Sequence, residues 1–269
     1  MKSVALIYDF DYTLISGNMQ DNTLSSVFGL TPDEFWNSAD EFKNMTKMEH
    51  ILVAMYFPVL LAKEQGIKIS KELLRDCGRK INTFYKGVET WFDRIKEYGK
   101  SIGLDVKHYI LSSGLQDMVE ASKIGDKIDK VFGCAYFYND DGEAVWPQYC
   151  INYTQKTQYI ARIRKGLIDN LSDDSGINDK INKDSCVVPY THMIYIGDGD
   201  TDVPCMKMIK DHGGHSMCIY EEEREKKYNI AAKLVSDGRV DCAVLADYTE
   251  GSALDIKVKE ILKNISDVD

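Results

Sequence analysis

A pair of carboxylates follows an apolar run near the N-terminus. Asp9 and Asp11 come directly after the run VALIY at 4–8, so both lie where a buried strand is expected to end. Carboxylates at this spacing can bind a hard cation such as Mg²⁺, and one of them can act as a nucleophile or carry a proton. Because the pattern Asp-x-Asp alone also fits an ordinary turn, its interpretation depends on the rest of the chain.

A second group of carboxylates lies far along the chain. The segment GDGDTD follows the apolar run HMIYI and contains Asp198, Asp200 and Asp202. Alternating aspartates also begin an EF-hand calcium loop, but that loop requires Gly at its sixth position and Glu at its twelfth. This chain has Val203 and Ile209 there. Mg²⁺, which binds few carboxylates and keeps waters and substrate oxygens, is therefore the expected ion.

Short apolar runs alternate with helical stretches along the whole chain. This alternation predicts an α/β fold in which a Rossmann-like, doubly wound parallel sheet forms the core. Ligands of such sheets bind beyond the carboxyl ends of the strands, where both carboxylate groups fall. A third strand end is followed by Ser112, Ser113 and Gly114. The runs predicted as strands are VALIY at 4–8, HYIL at 108–111, HMIYI at 192–196, SMCIY at 216–220 and CAVLA at 242–246.

A helical insertion separates the first two predicted strands. Helix signals recur from Gly17 to Lys86, and this segment is expected to form a cap domain. Residues 1–16 and 87–269 are then expected to form the core, with an amphipathic helix from Val88 to about Lys100 returning the chain to it. The helix signals are Thr31-Pro32 as N-cap and first residue, helical spacing over Met48–Lys63 interrupted by Pro58, and the capping residue Ser70 ahead of a helix to Lys80.

Two further segments have recognisable local patterns. Asn139-Asp140-Asp141-Gly142 separates the aromatic-rich runs Phe132–Tyr138 and Ala144–Tyr153, which predicts a β-hairpin. Asp169–Ser185 is rich in Asp, Asn, Ser and Lys, which predicts an exposed, mobile loop.

The composition restricts the classes of partner. The 269 residues include 33 Lys+Arg and 43 Asp+Glu, for a formal net charge of -10. A chain this acidic is not expected to attract nucleic acid or an anionic membrane, so any phosphate must be bound by a local group of cations. The seven cysteines are scattered without a CxxC pair, which argues against a disulfide framework or a zinc site. No apolar run has the length of a signal or membrane-spanning segment, and we expect a cytoplasmic protein.

Four motifs together resemble those of the haloacid dehalogenase (HAD) superfamily. They occur in the family's order, they cover essentially the whole chain, and the insertion stands where that family places its first-type helical cap. The phosphoserine phosphatase-like group is the most similar in pattern, because its hairpin also precedes the lysine. The motifs are DxDxT with Asp9, Asp11 and Thr13, Ser112 at the end of an apolar run, Lys156 in YTQKTQYI, and GDGxxD with Asp198 and Asp202.

This resemblance implies a Mg²⁺-dependent phosphatase that acts on a small phosphomonoester. Asp9 would be the nucleophile, forming an aspartyl-phosphate, and Asp11 would be the general acid and base. We expect the carboxylate neighbours of Asp11 to raise its pKa, because its ordinary value makes it a poor acid at neutral pH. Mg²⁺ would be bound by the side chains of Asp9 and Asp198 and by the main-chain carbonyl of Asp11. The implied phosphate-binding residues are Ser112, Ser113, Gly114 and Lys156, and the implied supporting residues are Thr13 and Asp202.

Several alternatives stay open on the sequence. A phosphotransferase, or a non-catalytic protein that binds phosphate or metal, fits the same scaffold. Ser112 could instead cap a helix over Leu115–Lys123, Lys156 could be an ordinary surface lysine, and Asp200 could either form its loop or take part in the chemistry. Phosphoserine phosphatases carry Glu nine residues after the nucleophile, where this chain has Asn18, so phosphoserine is in doubt as the substrate.

Nine residues of the insertion could line the site or could equally pack within the insertion. They are Met19, Gln20, Trp36, Met45, Lys47, His50, Met55, Tyr56 and Phe57. The sequence identifies neither the substrate nor the oligomeric state.

Overall fold

A sheet of seven strands lies at the centre of the computed structural model, which describes residues 1–180, 186–199, 201–222 and 225–268. The strand order is β4-β3-β2-β1-β5-β6-β7. The pairs are parallel except for β3 and β4, which form the predicted antiparallel hairpin. The strands are β1 (Lys2–Tyr8), β2 (Leu104–Leu115), β3 (Lys130–Tyr138), β4 (Ala144–Tyr149), β5 (Met193–Gly197), β6 (His215–Tyr220) and β7 (Cys242–Leu245).

The chain reverses its direction across the sheet at β1. It first moves outward through β2 and β3, and it later returns to β5 on the other side of β1 before continuing to β6 and β7. Because parallel crossovers are right-handed, this reversal places the connecting helices on opposite faces of the sheet. The predicted α/β fold class is confirmed, and the gap between β1 and its two neighbours is the expected place for a ligand.

Helices occupy most of the connections. The prediction of a helix from Val88 is confirmed by α5, which buries Trp91, Phe92 and Ile95 and packs against β2. The described helices are α1 (Leu24–Val27), α2 (Pro32–Thr46), α3 (His50–Gln65), α4 (Lys71–Arg79), α5 (Val88–Ser101), α6 (Gln116–Ala121), α7 (Lys156–Lys165), α8 (Val203–Asp211), α9 (Glu225–Ser236) and α10 (Ala253–Asp267).

Helices α1 to α4 form the insertion between β1 and α5. The predicted caps are present, since Thr31 and Glu34 form a capping box at α2 and Ser70 accepts a bond from the Leu73 N–H at α4. The predicted interruption at Pro58 is wrong, because α3 continues through this residue. Pro58 lacks an N–H to donate within the helix, but it is itself buried, so the packing of this face outweighs the one missing hydrogen bond. Within the described residues no single helix is long and apolar enough to cross a bilayer, and α2 and α3 reach that length only as a pair bent by 112°.

The polar segment after α7 is anchored by two basic side chains. Its described part, up to Lys180, is largely exposed, as predicted, and contains no helix or strand. The Arg162 guanidinium donates to main-chain carbonyls between Leu167 and Asp173, and the Lys165 ammonium donates to the carbonyl of Gly176. Carbonyls that would otherwise need water are thus satisfied by α7. Residues 181–185 of the predicted mobile loop lie outside the described residues.

A buried histidine joins β2 to α5. His108 is fully buried, and its Nδ1 lies 3.0 Å from the Tyr8 hydroxyl while its Nε2 lies 3.1 Å from the Phe92 carbonyl oxygen. A carbonyl can only accept, so Nε2 carries the proton and the Tyr8 hydroxyl donates to Nδ1. The Trp91 indole N–H in turn donates to the Tyr8 oxygen at 2.8 Å. This arrangement requires a neutral imidazole, and burial lowers the pKa of His108 to about 3.

We predict that His108 makes the protein less stable as the pH falls below about 6.5. The unfolded chain takes up the proton near that pH, whereas the folded chain does not do so until about pH 3, so protonation favours unfolding in between. At pH 5 the expected contribution is a loss of about 2 kcal/mol of unfolding free energy, at about 1.4 kcal/mol for each pKa unit. Urea unfolding between pH 7 and 5 should show a shallower pH slope for His108→Gln than for the parent. His212→Gln, at an exposed histidine, is the matched control, and an unchanged slope in His108→Gln would contradict the prediction.

Candidate active site

The carboxyl ends of three adjacent strands bring the predicted residues together. Asp9 follows β1 in the centre, Ser112 lies near the end of β2 on one side, and Asp198 directly follows β5 on the other. The backbone N–H of Asp9 donates to the Ile196 carbonyl at 3.0 Å, which holds the Asp9 loop against the end of β5. Both carboxylate groups of the sequence therefore meet at one edge of the sheet.

Strand β2 is longer than the sequence predicts and includes the Ser-Ser-Gly segment. It continues to Leu115, with an irregular register against β3 after Leu111. The alternative role of Ser112 as a helix N-cap is wrong, because α6 begins only after Leu115 and has no side-chain cap. The Ser112 hydroxyl instead accepts a hydrogen bond from the Gly114 N–H at 2.9 Å. The serine is thus part of an irregular strand end rather than a helix start.

A fully buried lysine connects two of the aspartates. Lys156, the first residue of α7, places its Nζ 3.1 Å from Asp9 Oδ1 and 2.7 Å from Asp202 Oδ1. The Tyr195 hydroxyl also donates to Asp202 Oδ1 at 2.7 Å. Burial by itself would lower the pKa of Lys156, but Asp202 and Asp9 together raise it above its ordinary value, so the ammonium stays charged. The alternative of a surface lysine is wrong.

Three carboxylates form a cluster that suits a metal ion. Asp9, Asp198 and Asp202 each offer an oxygen, and these oxygens lie within 4.8 Å of one another. Oδ2 of Asp202 is buried and has no hydrogen-bond partner among the described residues. Burial, and next the charge of Asp202, raise the pKa of Asp9 well above its ordinary range. Crowded, partly unpartnered carboxylate oxygens are the donor set that a hard divalent cation stabilises, so the residues fit such an ion.

Asp11 has the electrostatic environment expected of an acid–base group. Its Oδ1 accepts a hydrogen bond from the Met19 N–H at 2.8 Å. Burial, with smaller contributions from Asp21 and Asp198, raises the pKa of Asp11 to about 7. The predicted direction is confirmed, but the main cause is burial rather than the neighbouring carboxylates. A carboxyl with this pKa can both donate and accept a proton near neutral pH.

Met19 connects Asp11 to the end of β2. Its backbone binds Asp11, its Sδ accepts a hydrogen bond from the Leu115 N–H at 3.1 Å, and it is almost fully buried. A Cβ at Gly114 would lie 2.1 Å from Met19 Cε and 3.2 Å from Asp11 Oδ2. A side chain at position 114 would therefore displace the end of the Met19 side chain. Of the two roles open for Met19, the packed one is correct.

Two buried hydroxyls at the site are unpartnered among the described residues. They are Ser113 Oγ, which lines the cavity beside Ser112, and Thr13 Oγ1. The Thr13 carbonyl accepts a bond from the Tyr248 hydroxyl at 2.8 Å, so the turn after Asp11 is held from the C-terminal part of the chain. Ser113 thus offers a hydrogen-bonding group to a bound anion.

Solved structures with the same fold match nearly the full chain. A HAD family hydrolase from Salmonella enterica subsp. enterica serovar Typhi has a TM-score of 0.60 at 15% identity, and the match covers 96% of this chain and 70% of that one. A substrate-bound phosphoserine phosphatase has a TM-score of 0.55 at 15% identity, over 98% and 99% of the two chains. The chain has the HAD hydrolase fold.

No protein-family model matches the chain. An uncharacterized protein of Borreliella burgdorferi is 28% identical over 278 residues, which cover 93% of each chain. The HAD fold of this chain is therefore recognised from its structure and its motifs.

A cavity of about 260 Å³ opens between the strand ends and the insertion, and Asp9, Asp11 and Asp198 are among the residues that line it. Three of the nine insertion residues proposed as lining do line it: Gln20, Trp36 and His50. Asn18 also lines it, as does Tyr153 from the segment before α7. The remaining proposed residues lie elsewhere, with Met19, Met55 and Phe57 buried in the core and Met45, Lys47 and Tyr56 exposed.

Lys227 is a charged site residue that the sequence does not indicate, and Tyr195 and Tyr153 are further site residues that it does not indicate. Lys227 lies on α9, its ammonium is bonded to the Asp198 carboxylate, and it stands 4.6 Å from the centre of the Tyr12 ring. This contact partly offsets the rise that burial and Asp202 cause in the pKa of Asp198. Lys227 belongs to the charged stretch EEEREKK, in which no spacing marks one lysine, so the sequence held no usable signal. Asp200 lies outside the described residues.

Proposed function

We propose that the protein is a Mg²⁺-dependent phosphatase that hydrolyses small phosphomonoesters through an aspartyl-phosphate intermediate. One observation carries the proposal: a buried ammonium, that of Lys156, lies within hydrogen-bonding distance of Asp9, while Asp9 also belongs to the carboxylate cluster. Carboxylates with a purely structural role, or on the surface, do not require several charged groups to be buried together. Such a buried group of charges is typical of sites that bind a charged reactant. The phosphatases with the same fold are consistent with this chemistry.

In the proposed reaction, Asp9 attacks the phosphorus and the P–O bond to the alcohol breaks. Its carboxylate oxygen forms the new bond to phosphorus, and water later attacks this aspartyl-phosphate to release inorganic phosphate. Lys156 neutralises charge on the phosphoryl oxygens, and the hydroxyls of Ser112 and Ser113, with the backbone at Gly114, hold them. Interactions that strengthen as charge spreads over these oxygens lower the barrier.

Asp11 is the proposed proton carrier. In the first step its protonated carboxyl gives a proton to the departing alkoxide, which is a poor leaving group without it. In the second step the resulting carboxylate takes a proton from the attacking water. The pKa of about 7 makes both forms available at neutral pH, and the Met19 N–H fixes one oxygen so that the other can reach the substrate.

The proposed ligands of Mg²⁺ are the side chains of Asp9 and Asp198 and the main-chain carbonyl of Asp11, with the unpartnered Asp202 oxygen in the same cluster. A bound divalent cation would reduce the repulsion between the anionic nucleophile and the anionic substrate. Thr13 and Asp202 are proposed to support the site, Asp202 by holding Lys156.

The insertion at residues 17–86 is proposed to act as a cap over residues 1–16 and 87–269. Its helices α2 and α3 contribute Trp36 and His50 to the cavity. A cap that encloses about 260 Å³ favours small molecules over phosphoproteins. The net charge of -10 argues against nucleic acid as the substrate.

The test is hydrolysis of p-nitrophenyl phosphate by the full chain with Mg²⁺ and after treatment with EDTA. We expect turnover with Mg²⁺, a loss of at least about 100-fold with EDTA, and recovery when Mg²⁺ is restored, because the carboxylate cluster repels the substrate without the cation. Turnover that rises with an added alcohol and yields its phosphate ester would indicate a phosphotransferase instead. Absence of hydrolysis across several phosphate esters would refute the enzyme function and favour a binding protein.

A further inference from the structure

Two cysteines lie opposite each other at the base of the β-hairpin. Ala135 of β3 pairs with Tyr149 of the antiparallel strand β4. One residue further from the turn, Cys134 and Cys150 therefore face each other. The Ile151 N–H donates to the Cys134 sulfur at 3.2 Å, so the chain stays close to β3 just beyond the end of β4. Opposing residues of antiparallel strands have Cα atoms about 4.5–5.5 Å apart, which lies within the range of about 4.4–6.8 Å that a disulfide needs.

The two thiols differ in burial and in acidity. Cys134 is almost fully buried, whereas Cys150 is partly exposed. A side-chain hydrogen bond between them raises the pKa of Cys134, together with burial, and lowers the pKa of Cys150. Burial and the Glu49 carboxylate offset part of the effect on Cys150. The more accessible sulfur is thus also the more readily ionised one, and the thiolate is the form that reacts with oxidants.

Cys134 also contacts the candidate active site. Its S–H group donates to the Ser113 carbonyl at 3.2 Å, and Ser113 lines the cavity. Because a thiol carries one hydrogen, its donation to Ser113 and its donation to Cys150 must alternate. On the other strand, Cys150 is followed three residues later by Tyr153 of the cavity lining, and then by Lys156. A covalent change at this pair of sulfurs would therefore act on both sides of the phosphate site.

We propose that Cys134 and Cys150 form a reversible disulfide in the presence of hydrogen peroxide, and that this modification lowers turnover at the active site. In the first step the Cys150 thiolate attacks one oxygen of the peroxide, the O–O bond breaks, and the departing hydroxide takes up a proton to leave as water. In the second step the Cys134 sulfur attacks the resulting sulfenic acid and forms the S–S bond, while its proton and the hydroxyl leave as a second water. The two thiols lose two electrons, and the peroxide gains them.

The effect on turnover follows from the hydrogen that Cys134 loses. In the disulfide, the Ser113 carbonyl has no S–H donor, and the end of β2 that is proposed to hold the phosphoryl oxygens is less firmly positioned. Phosphoryl transfer depends on such positioning, so the rate should fall. The disulfide itself is independent of the proposed phosphatase function, whereas its effect on turnover rests on that function.

The test treats the full chain with hydrogen peroxide, blocks the remaining thiols with N-ethylmaleimide and maps the peptides by mass spectrometry. We expect a peptide pair joined through Cys134 and Cys150. With Mg²⁺ present, kcat/KM for p-nitrophenyl phosphate should fall by about tenfold in the oxidised protein. Dithiothreitol should restore both the free thiols and the activity.

Serine substitutions assign the effect to this pair. Cys150→Ser should have the activity of the reduced parent and should keep it in peroxide, because Cys134 then has no partner for a disulfide. Cys242→Ser, at a partly exposed cysteine of β7, is the matched control and should remain as sensitive to peroxide as the parent.

The outcomes distinguish this inference from the proposed function. Alkylation of both Cys134 and Cys150 after peroxide treatment would overturn the disulfide. A mapped disulfide with unchanged kcat/KM would overturn its effect on the site, as would an equal loss of activity in Cys150→Ser. If the reduced protein hydrolyses neither p-nitrophenyl phosphate nor other phosphate esters, the proposed phosphatase function fails, and the peptide map still decides whether the disulfide forms.

Discussion

Asp9→Asn is expected to lower kcat for phosphomonoester hydrolysis by at least about 10³-fold, the scale on which removing a nucleophile acts. The amide has the size of the carboxylate but cannot form the acyl phosphate. The measurement is hydrolysis of p-nitrophenyl phosphate at saturating Mg²⁺, together with a search for a phosphorylated protein in acid-quenched samples. The parent should show the phosphoprotein and the variant should not.

The stability of the Asp9→Asn variant against urea shows whether its loss of activity could come from unfolding. Because burial raises the pKa of Asp9 above its unfolded value, its ionised form opposes folding at neutral pH. Without metal, Asp9→Asn should therefore unfold in urea at the same concentration as the parent or at a higher one. Asp169→Asn, in the exposed segment after α7, should change neither the hydrolysis of p-nitrophenyl phosphate nor the urea concentration at which the protein unfolds. A correctly folded Asp9→Asn variant with a tenth of the parent activity or more would exclude Asp9 as the nucleophile.

Lys156→Met is expected to reduce both stability and activity. The ammonium is fully buried between Asp9 and Asp202, so its removal leaves two buried carboxylates without their cation. Breaking a buried ion pair from one side costs about 3–5 kcal/mol, which urea unfolding should detect directly. The loss of charge neutralisation at the phosphoryl group should lower kcat by about 10²-fold or more.

A double substitution separates the two effects of Lys156. Asp202→Asn in the Lys156→Met background removes one of the stranded carboxylates, so part of the lost stability should return while activity stays low. Lys63→Met, at an exposed lysine of α3, is the matched control and should change neither stability nor activity. An unfolding midpoint for Lys156→Met equal to that of the parent would show that the buried pairs contribute nothing to folding.

The sequence predicted the parts of the site that follow directly from strand ends. Asp9 and Asp198 each come after a continuous apolar run, and such runs become the doubly covered strands of a parallel sheet. Asp9 and Asp198 then meet because β1 and β5 are neighbours in the sheet. Hence the α/β fold and the carboxylate meeting point could be predicted from local patterns.

The remaining features depend on contacts between distant residues. The irregular end of β2 at Ser112-Ser113-Gly114 has no apolar pattern, and its conformation depends on β3 and on Met19. Lys227 reaches Asp198 only because α9 packs against β6 and β7. The burial that raises the pKa of Asp11 is likewise a property of the assembled cavity, so sequence reasoning found the direction of the shift and not its main cause.

The double attachment of Met19 has a consequence for engineering. This residue lies within the predicted cap, yet it bonds to Asp11 through its backbone and to Leu115 through its sulfur. Thr23 extends the attachment, because its hydroxyl donates to the Met19 carbonyl. A chimaera that imports the helices of another protein should therefore be joined after Thr23, so that the exchangeable module begins several residues later than the motif boundary at Gly17 suggests.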